Sequence, residues 1–134
     1  MIKLSGKFIH YSKLEDCEMR IKGFGGIFWR TQDAQTLKNW YNEVLGISMG
    51  DWNGTIVKPD ADNETIFSLF KQESEYFPKE QSVMLNFQVE NMNEWIEHFN
   101  KLGVTLLKEP EVSEYGTFVW IADPEGRWIE IWEK

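Results

Sequence analysis

DPEGRWIEIWEK, residues 123–134, is a reverse turn feeding a strand. Pro124 at the second turn position and Gly126 at the fourth make DPEG a hairpin-type turn. In the strand that follows, Trp128, Glu130 and Trp132 alternate with Ile129 and Ile131. A period of two sends these sets to opposite faces, so Glu130 stands between two tryptophans, with the isoleucines behind. A lone carboxylate in such a strand has three roles open to it: a metal ligand, a catalytic base, or a carboxylate neutralised by partners of its own chain.

Upstream of this strand, SVMLNFQV (82–89) reads as a strand and NMNEWIEHFNKLGV (91–104) as a helix with Trp95, Ile96, Phe99 and Leu102 inward. VTLLK (104–108) and GTFVWIAD (116–123) read as further strands. The first half has the same order. GIFWRTQ (26–32) is a strand pattern, and DAQTLKNWYNEVLGI (33–47) places Leu37, Trp40, Tyr41, Val44 and Leu45 at helical spacing before the stop at Gly46. Asn53-Gly54 is a hairpin signal before TIVK (55–58), and the DADN turn (60–63) leads into ETIFSLFK (64–71). Both halves thus read β-α-β-β-β, and both helices close on a Leu-Gly pair, Leu45-Gly46 and Leu102-Gly103. Between them, KQESEYFPKEQS (71–82) has the composition of a linker, with Tyr76 and Phe77 as a hydrophobic latch or a pocket wall.

The 134 residues carry a formal charge of −8, which disfavours binding of nucleic-acid phosphates and favours neutral or cationic small ligands. With 42% hydrophobic and 15% aromatic residues, the chain is long enough to bury roughly two thirds of its unfolded surface in one core. A single cysteine, Cys17, excludes an intrachain disulfide and a cysteine-cluster metal site, and fits the cytoplasm. No apolar run approaches the ~20 residues that span a bilayer, so no membrane partner is expected. The first 22 residues read as an extension, in which KFIHYS (7–12) has the pattern of an added strand, and Met19 offers a second start. GFGG (23–26) lacks the ending of a phosphate loop and enters a strand rather than a helix.

Two βαβββ modules, the pattern D-x-x-x-L-x-x-W-Y-x-x-x-L-G-I from Asp33 to Ile47, and the terminal D-P-E-G-x-x-I-E-I-W-E resemble the vicinal oxygen chelate superfamily of glyoxalases, bleomycin-resistance proteins and extradiol dioxygenases. GGIFWRTQD, SEYF, NFQVEN and SEYGTFVWIADPEG further resemble a group of small glyoxalase-like bacterial proteins. The resemblance implies an α+β fold over residues 23–134: module one at about 23–70, the linker at 71–82 and module two at 83–134. Together the modules would form one curved mixed sheet, a cup with the helices outside. It also implies a homodimer. In the metalloenzymes of this superfamily, up to four inward side chains of the first and last strands hold the metal. By the repeat alignment those positions here are Gly26, Ser68, Met84 and Glu130. Glycine has no side chain, a serine hydroxyl is a weak neutral ligand, and a thioether is too soft for Zn²⁺, Ni²⁺, Mn²⁺ or Fe²⁺ among oxygen and nitrogen ligands. The expectation is therefore no metal cofactor. Of the two histidines, His10 lies in the extension and His98 falls on the polar face of the second helix.

Strand alternation with this register places Gly26, Phe28 and Arg30, then Ile66, Ser68 and Phe70, then Met84, Asn86 and Gln88, and finally Trp128, Glu130 and Trp132 on the cup face. The parity of Phe118 and Trp120 is left open by the pattern. The candidate ligand-binding set is Phe28, Arg30, Ser68, Phe70, Met84, Asn86, Gln88, Trp120, Trp128, Glu130 and Trp132, polar groups converging on an aromatic floor. Glu130 is the candidate catalytic residue. For it three readings stand: neutralised by Arg30, Asn86 or Gln88; anchoring a cationic or hydroxyl-bearing ligand with help from the tryptophans; or a metal-free general base. The corresponding functions are a metal-independent protein that binds a cationic or aromatic small molecule, a glyoxalase-type lyase, isomerase or dioxygenase using Glu130 as base or in a metal site, and a structural dimerisation module.

Overall fold

The structure, a computed structural model, describes residues 19–134. The expected strand KFIHYS, with His10 and Cys17, lies outside the described residues. The chain divides into two compact units after Arg30. In the first, residues 19–30 are largely exposed and contain no helix or strand, and the ring of Phe28 lies against Gly26. All regular elements described below belong to the second.

Helix α1, Ala34–Leu45, begins where the sequence signals it. The side chain of Asp33 accepts hydrogen bonds from the backbone N–H of Thr36 at 3.1 Å and from its hydroxyl at 2.7 Å, satisfying one of the helix's orphan donors. It ends at Gly46 in the left-handed conformation (φ 70°), with Gly46 and Ile47 donating back to Asn42 and Tyr41. Leu37, Tyr41, Val44 and Leu45 are buried.

Strand β1, Leu85–Gln88, leads to helix α2, Met92–Lys101. The first residue of α2 has no capping side chain from Asn91, and the two free N–H groups of Asn91 and Met92 are instead bound by the carboxylate of Glu133 at 3.1 and 3.0 Å. Strands β2, Glu111–Ser113, β3, Gly116–Ala122, and β4, Trp128–Glu133, complete a mixed sheet in the order β1-β4-β3-β2. β1 is parallel to β4, and the other pairs are antiparallel. The second half of the sequence is thus a βαβββ unit, and the fold is α+β as expected.

Several strands differ in position from the sequence reading. VTLLK is not a strand; of it, the Leu107 N–H reaches the Trp120 carbonyl at 2.8 Å, and EVS takes the edge position instead. The reason is the two-residue turn of Glu114 and Tyr115 between Ser113 and Gly116, which zips β2 onto β3. Gly116 has φ 122°, and a Cβ there would lie 2.1 Å from the Glu133 carbonyl oxygen, so the β3–β4 approach requires glycine. In the first half, GIFWRTQ, TIVK and ETIFSLFK are not assigned to strands, and Ile56, Val57, Ile66, Phe67 and Leu69 are exposed. Leu102, expected inward, is 39% exposed because α2 ends before it.

The aliphatic core lies on one side of the sheet. Val119, Ile121, Ile129 and Ile131 are fully buried, and Phe87 of β1 meets Tyr41 of α1 edge to face at 6.5 Å. Burying four such aliphatic side chains contributes on the order of 8 kcal/mol of gross hydrophobic stabilisation. His98 joins the helices: its Nε2–H donates to the Val44 carbonyl at 3.0 Å, and its ring meets Trp95 edge to face. From the polar face of α2 expected for it, His98 thus reaches a half-buried position against α1.

Candidate functional site

The register of the sheet builds the site. Asn86, Glu130 and Trp120 lie abreast on three adjacent strands, as direct Cα partners. Cross-strand partners share a face, so this row, the row of Gln88, Trp132 and Phe118, and the pair Trp128 and Ala122 all face away from the aliphatic core. The expected parity of Asn86, Gln88, Trp128, Glu130 and Trp132 holds in the structure. Phe118 and Trp120 take the same side.

Glu130 is the centre of this face, at 6% exposure. Its carboxylate accepts three side-chain hydrogen bonds. Asn86 Nδ2 donates to Oε1 at 2.6 Å, while Oε2 receives the Trp120 indole N–H at 2.9 Å and the Tyr76 hydroxyl at 2.5 Å. All three donors are neutral, and their hydrogen bonds offset part of the cost of burying the carboxylate. Burial first, and the hydrogen bond to Glu130 second, push the Tyr76 hydroxyl well above the ordinary phenol range, so it stays protonated and donating.

Around this cluster the aromatic rings are ordered. Phe118 stacks on Trp132 with centroids 5.8 Å apart and planes 4° apart, and on Trp120 at 6.4 Å and 18°. Tyr76 meets Trp120 edge to face at 6.1 Å. The ammonium of Lys108 sits 4.2 Å from the centroid of Trp120 and 5.5 Å from that of Tyr76. Phe70 packs against Tyr76 and Phe77, and continues into an open groove of about 480 Å³ lined by Ser68, Leu69, Phe70, Lys71, Glu73 and Ser74.

The linker crosses this face and is held to it. Gln81 accepts from the Trp128 N–H at 2.8 Å and donates to the Trp128 carbonyl at 2.9 Å, extending the ladder of β4 where β1 has not yet begun. Asn63, the last residue of the DADN turn, donates to Gln88 Oε1 at 3.0 Å. Just before β4, at the same end as the Gln81 contacts, the DPEG turn is locked by Asp123. Its buried carboxylate accepts from the N–H groups of Glu125 and Arg127 and pairs with the Arg127 guanidinium at 2.8 Å. Glu125 in turn accepts from the Thr31 hydroxyl, beside the N-cap of α1.

Of the expected site residues, the structure gathers Asn86, Gln88, Trp120, Trp128, Glu130 and Trp132 on one face, with Ser68 and Phe70 in the adjoining groove. Met84 is half-buried just before β1. Phe28, 94% exposed, and Arg30 fall in the first unit. Sequence reasoning did not single out Lys108 or Gln81, and it left Tyr76 as a latch or wall. The one available signal was the position of Tyr76 in an otherwise polar linker, since an aromatic there needs a surface to cover.

The four positions aligned with metal ligands offer one carboxylate, and both of its oxygens are engaged by N–H and O–H donors. Among the described residues no group of three or more His, Cys, Asp or Glu side chains is placed to hold a metal ion, and the donor set does not fit one.

Comparison with known proteins places these features in context. The glyoxalase-like domain family matches residues 26–132. No curated protein matches the chain. Among solved structures, TnmS3, an antibiotic-binding protein from Streptomyces sp. CB03234, superposes with a TM-score of 0.58 at 16% identity, covering 86% of this chain and 98% of its own. A glyoxylase/bleomycin resistance protein/dioxygenase domain from Frankia sp. EAN1pec gives 0.53 at 15% identity, covering 85% and 98%. A member of the glyoxalase/bleomycin resistance protein/dioxygenase superfamily from Sphaerobacter thermophilus gives 0.50 at 17% identity, covering 78% and 90%.

Proposed function

The chain belongs to the glyoxalase-like domain family, and from that premise we propose that it is a metal-independent small-molecule-binding protein whose ligand lies on the aromatic face around Glu130. The observation that carries this is the state of Glu130. Where the superfamily's metalloenzymes present a metal ligand, this carboxylate is held by Tyr76, Asn86 and Trp120. A metal at Oε1 would compete with the Asn86 donor, one held by both oxygens would compete with all three donors, and its other ligands would have to be a serine, a methionine and a glycine. A general-base role for Glu130 meets the same competition, because each oxygen already accepts from at least one donor.

Binding needs only what the face already has: flat, stacked rings of Phe118, Trp120 and Trp132, with Asn86 and Gln88 beside them and the groove of Ser68 and Phe70 adjoining. The same fold serves antibiotic binding in TnmS3, although a shared fold is a precedent for the architecture and not for the ligand. A homodimer is part of the proposal, supported by the exposed apolar side chains Ile66, Phe67 and Leu69 on one segment of the first half. So is a cytoplasmic location, which rests on the single cysteine. No helix of the described residues is long and apolar enough to cross a membrane.

A thermal-shift screen with aromatic and cationic metabolites and antibiotics tests binding directly. A ligand present at about 100 times its Kd stabilises the fold by about 2.7 kcal/mol. At least one compound is expected to raise Tm in the presence of a chelator, with the shift lost in Trp132→Ala. No shift across the panel would overturn the proposal.

A further inference from the structure

Lys108 occupies an unusual place for an exposed lysine. A primary ammonium at the surface is strongly hydrated and gains little from leaving water. Yet its Nζ lies over two rings at once, 4.2 Å from Trp120 and 5.5 Å from Tyr76, and among the described residues it makes no ion pair. Trp120, which it covers, is fully buried.

The two rings are prepared for a cation. Both donate their polar edges, the indole N–H and the phenol O–H, to the same carboxylate, Glu130. Donation to an anion pushes electron density back into each ring and makes its face more negative. A second carboxylate, Glu111 on the adjacent edge strand, acts electrostatically on Tyr76 in the same sense as Glu130, both favouring the protonated phenol. The pair of rings, backed by carboxylates, is a place built for positive charge that the protein fills with its own side chain.

We propose that the Trp120–Tyr76 pair is a cation subsite, that Lys108 is its internal occupant, and that the ligand carries an alkylammonium group which displaces Lys108. This rests on the binding-protein reading and names the ligand's charge class. The earlier expectation of cation–π contacts gave them to Trp128 and Trp132; the geometry gives them to Trp120 and Tyr76. The lysine then acts as a competitor tethered to the site. Ligand binds only the fraction of molecules in which Lys108 has left the rings, so removing it raises apparent affinity by the reciprocal of that fraction. For a contact of ordinary surface strength, the gain is about fivefold.

The test is a titration of the wild-type chain, Lys108→Ala and Lys108→Met with choline and with its neutral isostere 3,3-dimethylbutan-1-ol, following the indole N–H resonance of Trp120, assigned through Trp120→Phe. Lys108 is exposed, so neither substitution endangers folding. The expected result is a Trp120 shift with choline, about fivefold tighter binding in Lys108→Ala, and no comparable shift with the alcohol. Equal choline affinities in wild type and Lys108→Ala, equal binding of the alcohol, or a Trp120 resonance unmoved by choline would each overturn the inference. A neutral compound that scores in the thermal-shift screen and binds Lys108→Ala no better than wild type would refute the cation subsite while leaving the binding function standing.

Discussion

Tyr76 and Glu130, 54 residues apart, share a hydrogen bond of 2.5 Å that ties the linker to β4, an inner strand of the sheet. Through it, a segment with no regular structure of its own closes over the buried carboxylate and brings its ring against Trp120. The consequence for function is that Glu130 has its needs met from within the chain.

Tyr76→Phe keeps the ring and removes the proton. Glu130 then retains Asn86 and Trp120 but loses its third donor, and a hydrogen bond to a charged group is worth about 1.5–3 kcal/mol. The variant is expected to lose about 2 kcal/mol in chemical denaturation, with Tm lower by several degrees. An unchanged denaturation midpoint would show that the bond adds nothing.

Tyr41→Phe is expected to behave in the opposite way. Tyr41 is buried, and its hydroxyl has no hydrogen-bond partner among the described residues. Deleting an unsatisfied buried hydroxyl removes a desolvation cost, so this variant should be as stable as the wild type or more stable. A loss above about 1 kcal/mol would reveal a partner for the hydroxyl.

Both tyrosines also set an alkaline limit. Burial raises Tyr41 from 10.0 to about 12, and burial with the Glu130 bond raises Tyr76 further. The folded state therefore holds these protons more tightly than the unfolded state. Their contribution is full below pH 10, falls as pH rises above it, and is lost through the folded-state values. Denaturation midpoints should decline from about pH 10 upward, and the decline should be shallower in the double Phe variant. Parallel curves for both proteins would contradict this.

Asp123→Ala tests the DPEG turn. It leaves two turn N–H groups and the Arg127 guanidinium without the carboxylate that holds them. Breaking a buried pair of this kind costs about 3–5 kcal/mol, a large part of the stability of a domain this size. Asp123→Asn, which keeps an acceptor, should recover part of it in urea titrations.

Leu69→Lys puts a charge at a position 87% exposed, within the apolar segment assigned to the proposed dimer. Sedimentation equilibrium should show a dimer for the wild type and a shift toward monomer for the variant, with the single-chain fold retained by circular dichroism. A monomeric wild type would contradict the dimer.

How much of this was legible in the sequence depended on whether the signal was local. The helix from Ala34 was legible because Asp33 caps it and Gly46 ends it, both within a turn of the elements they define. The faces of β1 and β4 were legible because strict alternation separates Asn86, Gln88, Glu130 and Trp132 from Leu85, Phe87, Ile129 and Ile131. The edge strand was misplaced because VTLLK has the better β composition. The ladder went instead to EVS, where the Ser113–Gly116 turn makes pairing local and Gly116 allows close approach.

The site was half legible. Asn86 was a named candidate partner of Glu130 and is one. Trp120 was a candidate whose face the pattern could not assign, and its register opposite Glu130 settles it. Tyr76 and Lys108 were hidden because their roles come from tertiary approach, the linker folding over the sheet and the chain before β2 passing Trp120, which no periodicity encodes. The same holds for Glu133 capping α2 from a strand, where the side chain of Asn91 makes no cap hydrogen bond.

The most direct test is metal analysis of protein purified without chelators, repeated after incubation with Zn²⁺, Ni²⁺, Mn²⁺ and Fe²⁺ and desalting. The prediction is that no metal is retained at stoichiometric level, and that ligand stabilisation in the thermal-shift screen is unchanged by a chelator. One equivalent of a divalent metal per chain, absent from Glu130→Gln, would contradict it and return Glu130 to the role of metal ligand.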